Sequence, residues 1–431
     1  MSKISKKNWA LIWILGLAGQ LCWNVENQWF NTFVYDKIAP NPVIISWMVG
    51  LSAAVTTFAT NFIGTLGDRR GKRKPYIAFG YIMWGIFTIA FGVGEFLPKS
   101  SVLAAAIFVV AMDAIMSFFG SVGYDAAFSA WTTDISDESN RGEVGGAFAT
   151  IPVIATIVGS VVAGYIIKYF DFFGFFIIIG LLVTTIGIIT LFLLEDAPSL
   201  KSKKDKEGFF NQFFSVFNFK TVKENKELFW VFIIMMVYFI GFNVYFPYVT
   251  IYFVNYLGLD YGITGLIQGI SLLIAVMLTI PVSKHINRGK NTKVISSALM
   301  VNILGLVVIS TRPPVILLGV GMLLTGIGYV IILQTITAWF KNLYPEEQRG
   351  QFEGVKQIFF VCIPMIIGPN ISSFIIHTWG VEGIVNDKVG LIPNEMLFII
   401  SGVITLLTYL PLFPAGKLLN RRKEQECKTN L

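Results

Sequence analysis

Gly64-Thr65-Leu66-Gly67-Asp68-Arg69-Arg70-Gly71-Lys72-Arg73 is the point where one long apolar run stops and the next begins. Val43–Leu66 leads into it and Tyr76–Leu97 leads away, with Glu95 the only charge in either run. About 20 such residues span the hydrocarbon core of a bilayer as a helix. Asp68 stands among Arg69, Arg70, Lys72, Arg73 and Lys74. It is poised to accept charge-assisted hydrogen bonds, or to face a helix N-terminus in another part of the chain. Gly64 permits close approach of a neighbouring helix, and Gly71 permits a tight reversal. The stretch reads as a short basic turn joining two membrane-crossing helices.

The same alternation continues outward along the 431 residues. The chain is 55% hydrophobic and 14% charged, with a mean hydropathy of +0.68. A soluble chain carries nearer a quarter charged residues. Val153–Tyr169, Phe172–Leu194 and Leu397–Leu412 are further apolar runs. A membrane β-barrel would show alternating segments of about 10 residues instead, so the spans are helical, every backbone group being paired within its own segment. The runs predict twelve spans: 8–35, 43–66, 76–97, 101–131, 143–168, 172–194, 227–256, 263–284, 293–311, 315–340, 350–377 and 395–416. The predicted class is an all-α membrane protein with an N-terminal six-helix bundle at 1–194, a linker at 195–226, a C-terminal six-helix bundle at 227–418 and a tail at 419–431. Within the linker, Phe209–Phe219 is aromatic and suits a short helix lying in the membrane interface.

The net charge of +7 records topology. With the N-terminus placed in the cytosol, 27 Lys and Arg fall on the inner side and 5 on the outer, the positive-inside pattern. Both termini are then cytosolic and the protein sits in the inner or plasma membrane. No nucleic-acid partner is implied, and the lipid bilayer is the main surrounding. The first apolar run is too long for a cleavable signal peptide. Cys22, Cys362 and Cys427 have no metal-ligand spacing, and His285 and His377 stand singly, so neither a metal nor a cofactor is expected. With no Ser/His/Asp constellation and no Gly-x-x-x-x-Gly-Lys-Ser/Thr loop, neither an enzyme nor a nucleotide-driven pump is expected.

The two halves repeat. Ala130-Trp131-Thr132-Thr133-Asp134 through Asn140-Arg141-Gly142 lies over Ala338-Trp339-Phe340-Lys341-Asn342 through Gln348-Arg349-Gly350 at an offset of 208. Trp23-Asn24-Val25 likewise lies over Phe242-Asn243-Val244. Duplicated bundles of this kind hold a solute between the halves near the bilayer midplane.

The loop around Asp68, read as Gly-x-x-x-Asp-Arg-x-Gly-Lys-Arg between spans 2 and 3, resembles the signature loop of the major facilitator superfamily. The resemblance implies alternating access by rocking of two six-helix bundles, without ATP hydrolysis. Within that family the chain most resembles the glycoside–pentoside–hexuronide and sucrose symporter branch. The residues that carry this are Gly71-Lys72-Arg73-Lys74-Pro75-Tyr76 and Pro345-Glu346-Glu347-Gln348-Arg349-Gly350. It departs at Ser129-Ala130-Trp131-Thr132-Thr133-Asp134, where plant-type sucrose carriers have an arginine and this chain has none. Span 4 also lacks the arginine of drug/proton antiporters. Gly64, Asp68, Arg69, Gly71, Lys72, Arg73, Asp134, Arg141, Arg349, Glu353 and Lys356 form the candidate cytosolic gate.

A charge in mid-span costs several kcal/mol, so each one is a functional candidate. Glu26 in span 1 and Asp113 in span 4 fall within about one helical turn of the same depth and are the candidate proton- or cation-coupling pair. Asp125 is a third candidate, turned about 120° from Asp113 on the helix. Sugars present hydroxyl edges and C–H faces, which amides and aromatic rings match. Trp23, Asn24, Asn27, Gln28, Tyr124, Asn243, Tyr245, Gln268, Gln334 and Gln357 are the candidate solute contacts. Amides without cationic partners suit a neutral polyol better than a carboxylate or phosphate. The reading is a monomeric secondary transporter that carries a sugar or glycoside in symport with a proton or sodium. The alternative is an exporter or uniporter of another small metabolite or drug on the same frame.

Overall fold

The computed structural model describes residues 4–98, 101–136, 140–197, 200, 219–282, 290–344 and 349–429. Pro345–Gln348, His285 and residues 209–218 of the aromatic linker stretch lie outside the described residues. Among the described residues, twelve helical passes follow the apolar runs, with a short helix at Phe219–Glu224 ahead of the seventh. They are α1 (6–38), α2 (Pro42–Arg70), α3 (Lys74–Phe96), α4 (Val102–Asp134), α5 (141–170), α6 (172–193), α7 (Lys226–Tyr256), α8 (Tyr261–Thr279), α9 (Asn291–Ser310), α10 (Val315–Leu343), α11 (349–379) and α12 (396–429). Ten stretches among the described residues are long and apolar enough to cross a bilayer. One of them, Glu143–Leu193, turns at Asp171 and holds two passes. Helix α1 adds the remaining pass, its apolar character diluted by Gln20, Asn24, Glu26, Asn27 and Gln28.

The breaks have local causes. Asn41 caps α2 by accepting from the Val43 N–H at 3.0 Å, with Pro42 at the first helical position. Gly71 ends α2 in the left-handed region at φ 60°, its N–H on the Gly67 carbonyl. Asp171 turns the chain between α5 and α6 at φ 59° and accepts from the Phe172 N–H. Asp260 accepts from the Ile263 N–H at the start of α8. That bond, with help from Lys168, holds its carboxyl below the usual range. Wide, π-helical turns occur among the described residues at Glu26–Phe30 and Val34–Ile38 in α1, Ser121–Phe128 in α4, Tyr252–Tyr256 in α7 and Ile358–Cys362 in α11; the first and third of these hold polar candidates. Such turns are frequent at functional sites. Between α11 and α12 lies an antiparallel hairpin, β1 (Val381–Val385) and β2 (Lys388–Ile392), closed by Asn386 and Asp387 at positive φ. The apolar-run reading has only a connection there. Helix α12 also runs on through the basic tail to Thr429.

The chain forms two compact units. The first comprises 1–206, 247–269 and 376–393, and the second 207–246, 270–375 and 394–431. In the first, Phe30, Phe33, Phe91, Phe172 and Phe176 pack ring on ring at 4.6–5.6 Å, and Trp23 meets Trp84 at 5.0 Å. Such pairs add to the stabilisation from burial alone. In the second, Phe232, Met235, Ile336, Trp339 and Phe352 are core residues. The indole of Trp339 donates to Glu227, which Arg422 also bonds. Its repeat counterpart in the first unit, Trp131, donates to the Glu195 carbonyl at 2.9 Å. Large apolar side chains such as Trp47, Phe58, Phe192, Ile316 and Leu410 remain exposed, as a lipid-facing surface requires.

Candidate functional site

Helix α1 carries the densest polar face, and its neighbours decide what each group can do. Glu26 is buried, and its Oε1 accepts from Ser52 of α2 at 3.1 Å and from Ser117 of α4 at 2.8 Å. The two hydroxyl oxygens are 2.7 Å apart, and Ser117 Oγ also lies 2.7 Å from the Asp113 backbone carbonyl. The two serines bring two protons to four short oxygen–oxygen contacts. The cluster is therefore short of positive hydrogen, a condition that an added proton or small cation relieves. Glu26 Oε2 and Asp113 Oδ1 are fully enclosed and have no protein partner. The large majority of buried polar atoms in proteins are paired. Ser117, one turn from Asp113, thus links the two carboxyl-bearing positions. Asp125 is half-buried in the wide turn of α4.

One turn before Glu26, the Trp23 Nε1 donor and the Asn24 Oδ1 acceptor are also enclosed without a protein partner. Tyr124 of α4 accepts from Gln20 Nε2 at 2.9 Å, so Gln20 joins this face. Asn27 bonds back to the Trp23 carbonyl. Gln28 and Gln268 differ from the expected solute contacts. They bond each other, Gln28 Nε2 donating to Gln268 Oε1, while Ser160 donates to Gln28 and Gln268 donates to Thr250. Both residues are buried, and their amides are paired within the protein.

In the second unit Asn243 is buried and donates to the Phe239 carbonyl at 2.8 Å. Tyr245 is buried 5.8 Å from the Phe398 ring. Gln357 is half-buried and Gln334 exposed.

At the N-terminal end of the first unit, Arg73 is enclosed and its Nε donates to Asp134 at 2.9 Å. Asp196 accepts from the backbone N–H groups of Arg73 and Lys74, an anion on the first turn of α3. Lys7 bonds Glu195 and holds its carboxyl below the usual range. Arg69 and Lys72 are exposed. A side chain at Gly64 would meet open space, so the close helix approach expected there is not made in this conformation. Lys356 lies 5.8 Å from the Phe340 ring centre. The side chains of Asp68, Arg141, Arg349 and Glu353 lie outside the described residues. Sequence reasoning missed Ser52, Ser117, Ser160, Gln20 and Asp196. Only Asp196, an acid two residues before a proline and beyond an apolar run, carries a local signal of capping.

Among the described residues, the first and fourth passes thus carry polar and carboxyl groups between otherwise apolar helices. A family model described as Major Facilitator Superfamily matches residues 12–369, and the chain belongs to that superfamily. It is accordingly a multi-pass transporter and not an enzyme. No curated protein matches the sequence. Among solved structures, the nucleoside transporter NupG is similar at 14% identity, covering 94% of this chain and 99% of that one, with a TM-score of 0.72. A D-xylose–proton symporter is similar at 14% identity, covering 94% and 96%, with a TM-score of 0.70. A bacterial homologue of the human lysosomal transporter Spinster, in an inward-facing and occupied conformation, is similar at 11% identity, covering 96% and 98%, with a TM-score of 0.71. At these identities the likeness is one of fold.

Proposed function

We propose that the chain is an ion-coupled symporter of a neutral sugar or glycoside, with Glu26 and Asp113 as the coupling groups and both termini in the cytosol. The observation that carries this reading is the proton-poor oxygen cluster of Glu26, Ser52, Ser117 and the Asp113 carbonyl. It lies one turn from the unsatisfied Trp23 donor and Asn24 acceptor. An ion bound at the cluster and a hydroxyl-bearing solute bound at Trp23 and Asn24 would share α1, so that each favours the other's binding. Asn243 and Tyr245 are the proposed contacts from the C-terminal half. Arg73, Asp134, Asp68, Arg141, Arg349, Glu353 and Lys356 are the proposed cytosolic gate. A fold likeness to a D-xylose–proton symporter is consistent with this reading, and one to a nucleoside transporter puts nucleosides into the test.

The test is uptake into reconstituted vesicles of labelled mono- and disaccharides and nucleosides, with a proton gradient, a sodium gradient or neither. Glu26→Gln is expected to abolish uphill uptake and leave solute exchange intact. Unchanged accumulation by that variant would remove Glu26 from the coupling role. Failure on every sugar, with flux of a lipophilic cation, would turn the reading to export.

A further inference from the structure

The C-terminal end of α1 is held by four partners that come from remote parts of the chain. The last carbonyls of a helix lack partners within it. Here the Lys37 and Ile38 carbonyls accept from Lys388 Nζ at 2.7 and 2.6 Å, an ammonium set on the negative end of the helix. Asn386, in the turn of the same hairpin, donates to the Asp36 carbonyl at 3.0 Å. The Asp36 carboxylate is buried and accepts from Asn255 at the end of α7 and from the Tyr261 hydroxyl at the start of α8. The hairpin backbone seats directly on the chain beyond α1. A Cβ at Gly390 would stand 2.3 Å from Pro40 Cγ and 2.4 Å from the Pro40 carbonyl oxygen.

Every one of these contacts joins residues 36–40 to segments that follow the linker. A carrier that admits solute from this face must part its N-terminal half from its C-terminal half there, so each contact has to break. The hairpin is the piece that adds a cation and a steric seat to what would otherwise be a bond between helix ends. We infer that the β1–β2 hairpin is a strap that holds the outer gate shut, with Lys388 and Asp36 as its gating residues. The strap uses only the α1 end and the buried Asp36, and it does not depend on which solute or ion is carried.

The test uses the full-length protein in vesicles, with Cys22, Cys362 and Cys427 replaced and a reporter cysteine at Thr264, which is fully buried in α8. A membrane-impermeant maleimide is applied from the hairpin face. Lys388→Met removes the cation, and Gly390→Val lifts the hairpin off Pro40 without touching a charge. Each should raise the labelling rate by about threefold or more, as a shift of population toward the open gate. Lys388→Arg, which keeps a cation, and Glu382→Gln, an exposed position on β1, should label at the parent rate. Parent-like labelling of both Lys388→Met and Gly390→Val would overturn the inference. So would equal acceleration by Glu382→Gln.

Discussion

Arg73 shows how a residue's worth depends on its surroundings. Its side chain is 5% exposed and its partner Asp134 is 20% exposed, whereas the Lys7–Glu195 pair is open to solvent. An exposed pair contributes about 0–1 kcal/mol. Removing one partner of a buried pair leaves a charge uncompensated and costs about 3–5 kcal/mol. Asp134→Ala should therefore destabilise the protein measurably more than Glu195→Ala, because the Arg73–Asp134 pair is enclosed and the Lys7–Glu195 pair is open to solvent. Thermal unfolding in detergent measures both, and equal shifts would contradict the burial argument. The two residues were legible in the sequence as members of a charged end. Their pairing was not, because it joins positions separated by two helices and no spacing encodes it. Ser52 and Ser117 were invisible for another reason. Serine and threonine in membrane helices ordinarily bond their own preceding turn, as Ser46, Thr57, Thr60 and Thr65 do here. Nothing in the sequence distinguishes the two that also reach a carboxylate.

At the scale of elements, apolar length made all twelve helices legible, and the capping residues Asn41 and Gly71 fixed where α2 begins and ends. The hairpin was not legible. Its strands are five residues each and broken by Gly383 and Gly390, so they bury too little to leave an alternating pattern. Its one signal is Asn386-Asp387 between two β-branched segments, a pair suited to positive φ. Helix contacts give a sharper element-scale prediction. A Cβ at Gly85 would stand 2.3 Å from the Gly180 carbonyl oxygen of α6, backbone against backbone, whereas one at Gly64 would meet nothing within 4 Å. Gly85→Val should prevent stable folding of the first unit, since backbone cannot yield as a side chain does. Gly64→Ala should stabilise α2 by about 0.5–1 kcal/mol through helix propensity. If the close approach at Gly64 belongs to the opposite conformation, the same Gly64→Ala change should slow transport. A stable, slow Gly64→Ala variant would show this, and wild-type flux would remove Gly64 from the gate.

Over the whole molecule, the duplication that revealed two halves also shows where they part company. Aligned by Trp23-Asn24-Val25 on Phe242-Asn243-Val244, Glu26 falls on Tyr245. Carried back along α4 and α10 at the offset of 208, Asp113 falls on Gly321, Ser117 on Thr325 and Asp125 on Leu333. The frame is repeated, but the carboxyl groups are not. The enclosed side-chain atoms that lack a hydrogen bond lean the same way: among the described residues they include Trp23, Asn24, Glu26, Asn31, Tyr35, Asp113 and Ser121 on α1 and α4 and Glu95 on α3, against Thr264, Asn291 and Thr408 in the C-terminal half. Under the proposed function, ion coupling would then belong to the N-terminal half, and Asn243 and Tyr245 of the C-terminal half would contribute groups that bind solute without titrating. A division of this kind separates the two kinetic effects. Tyr245→Phe removes one hydrogen-bonding group of about 1 kcal/mol. It should raise the KM for solute about fivefold while leaving the ion dependence of uptake unchanged. Glu26→Gln should do the reverse, abolishing the response to the ion gradient with solute exchange retained. Measured side by side in vesicles, an altered ion dependence in Tyr245→Phe would place coupling in both halves and undo the asymmetry.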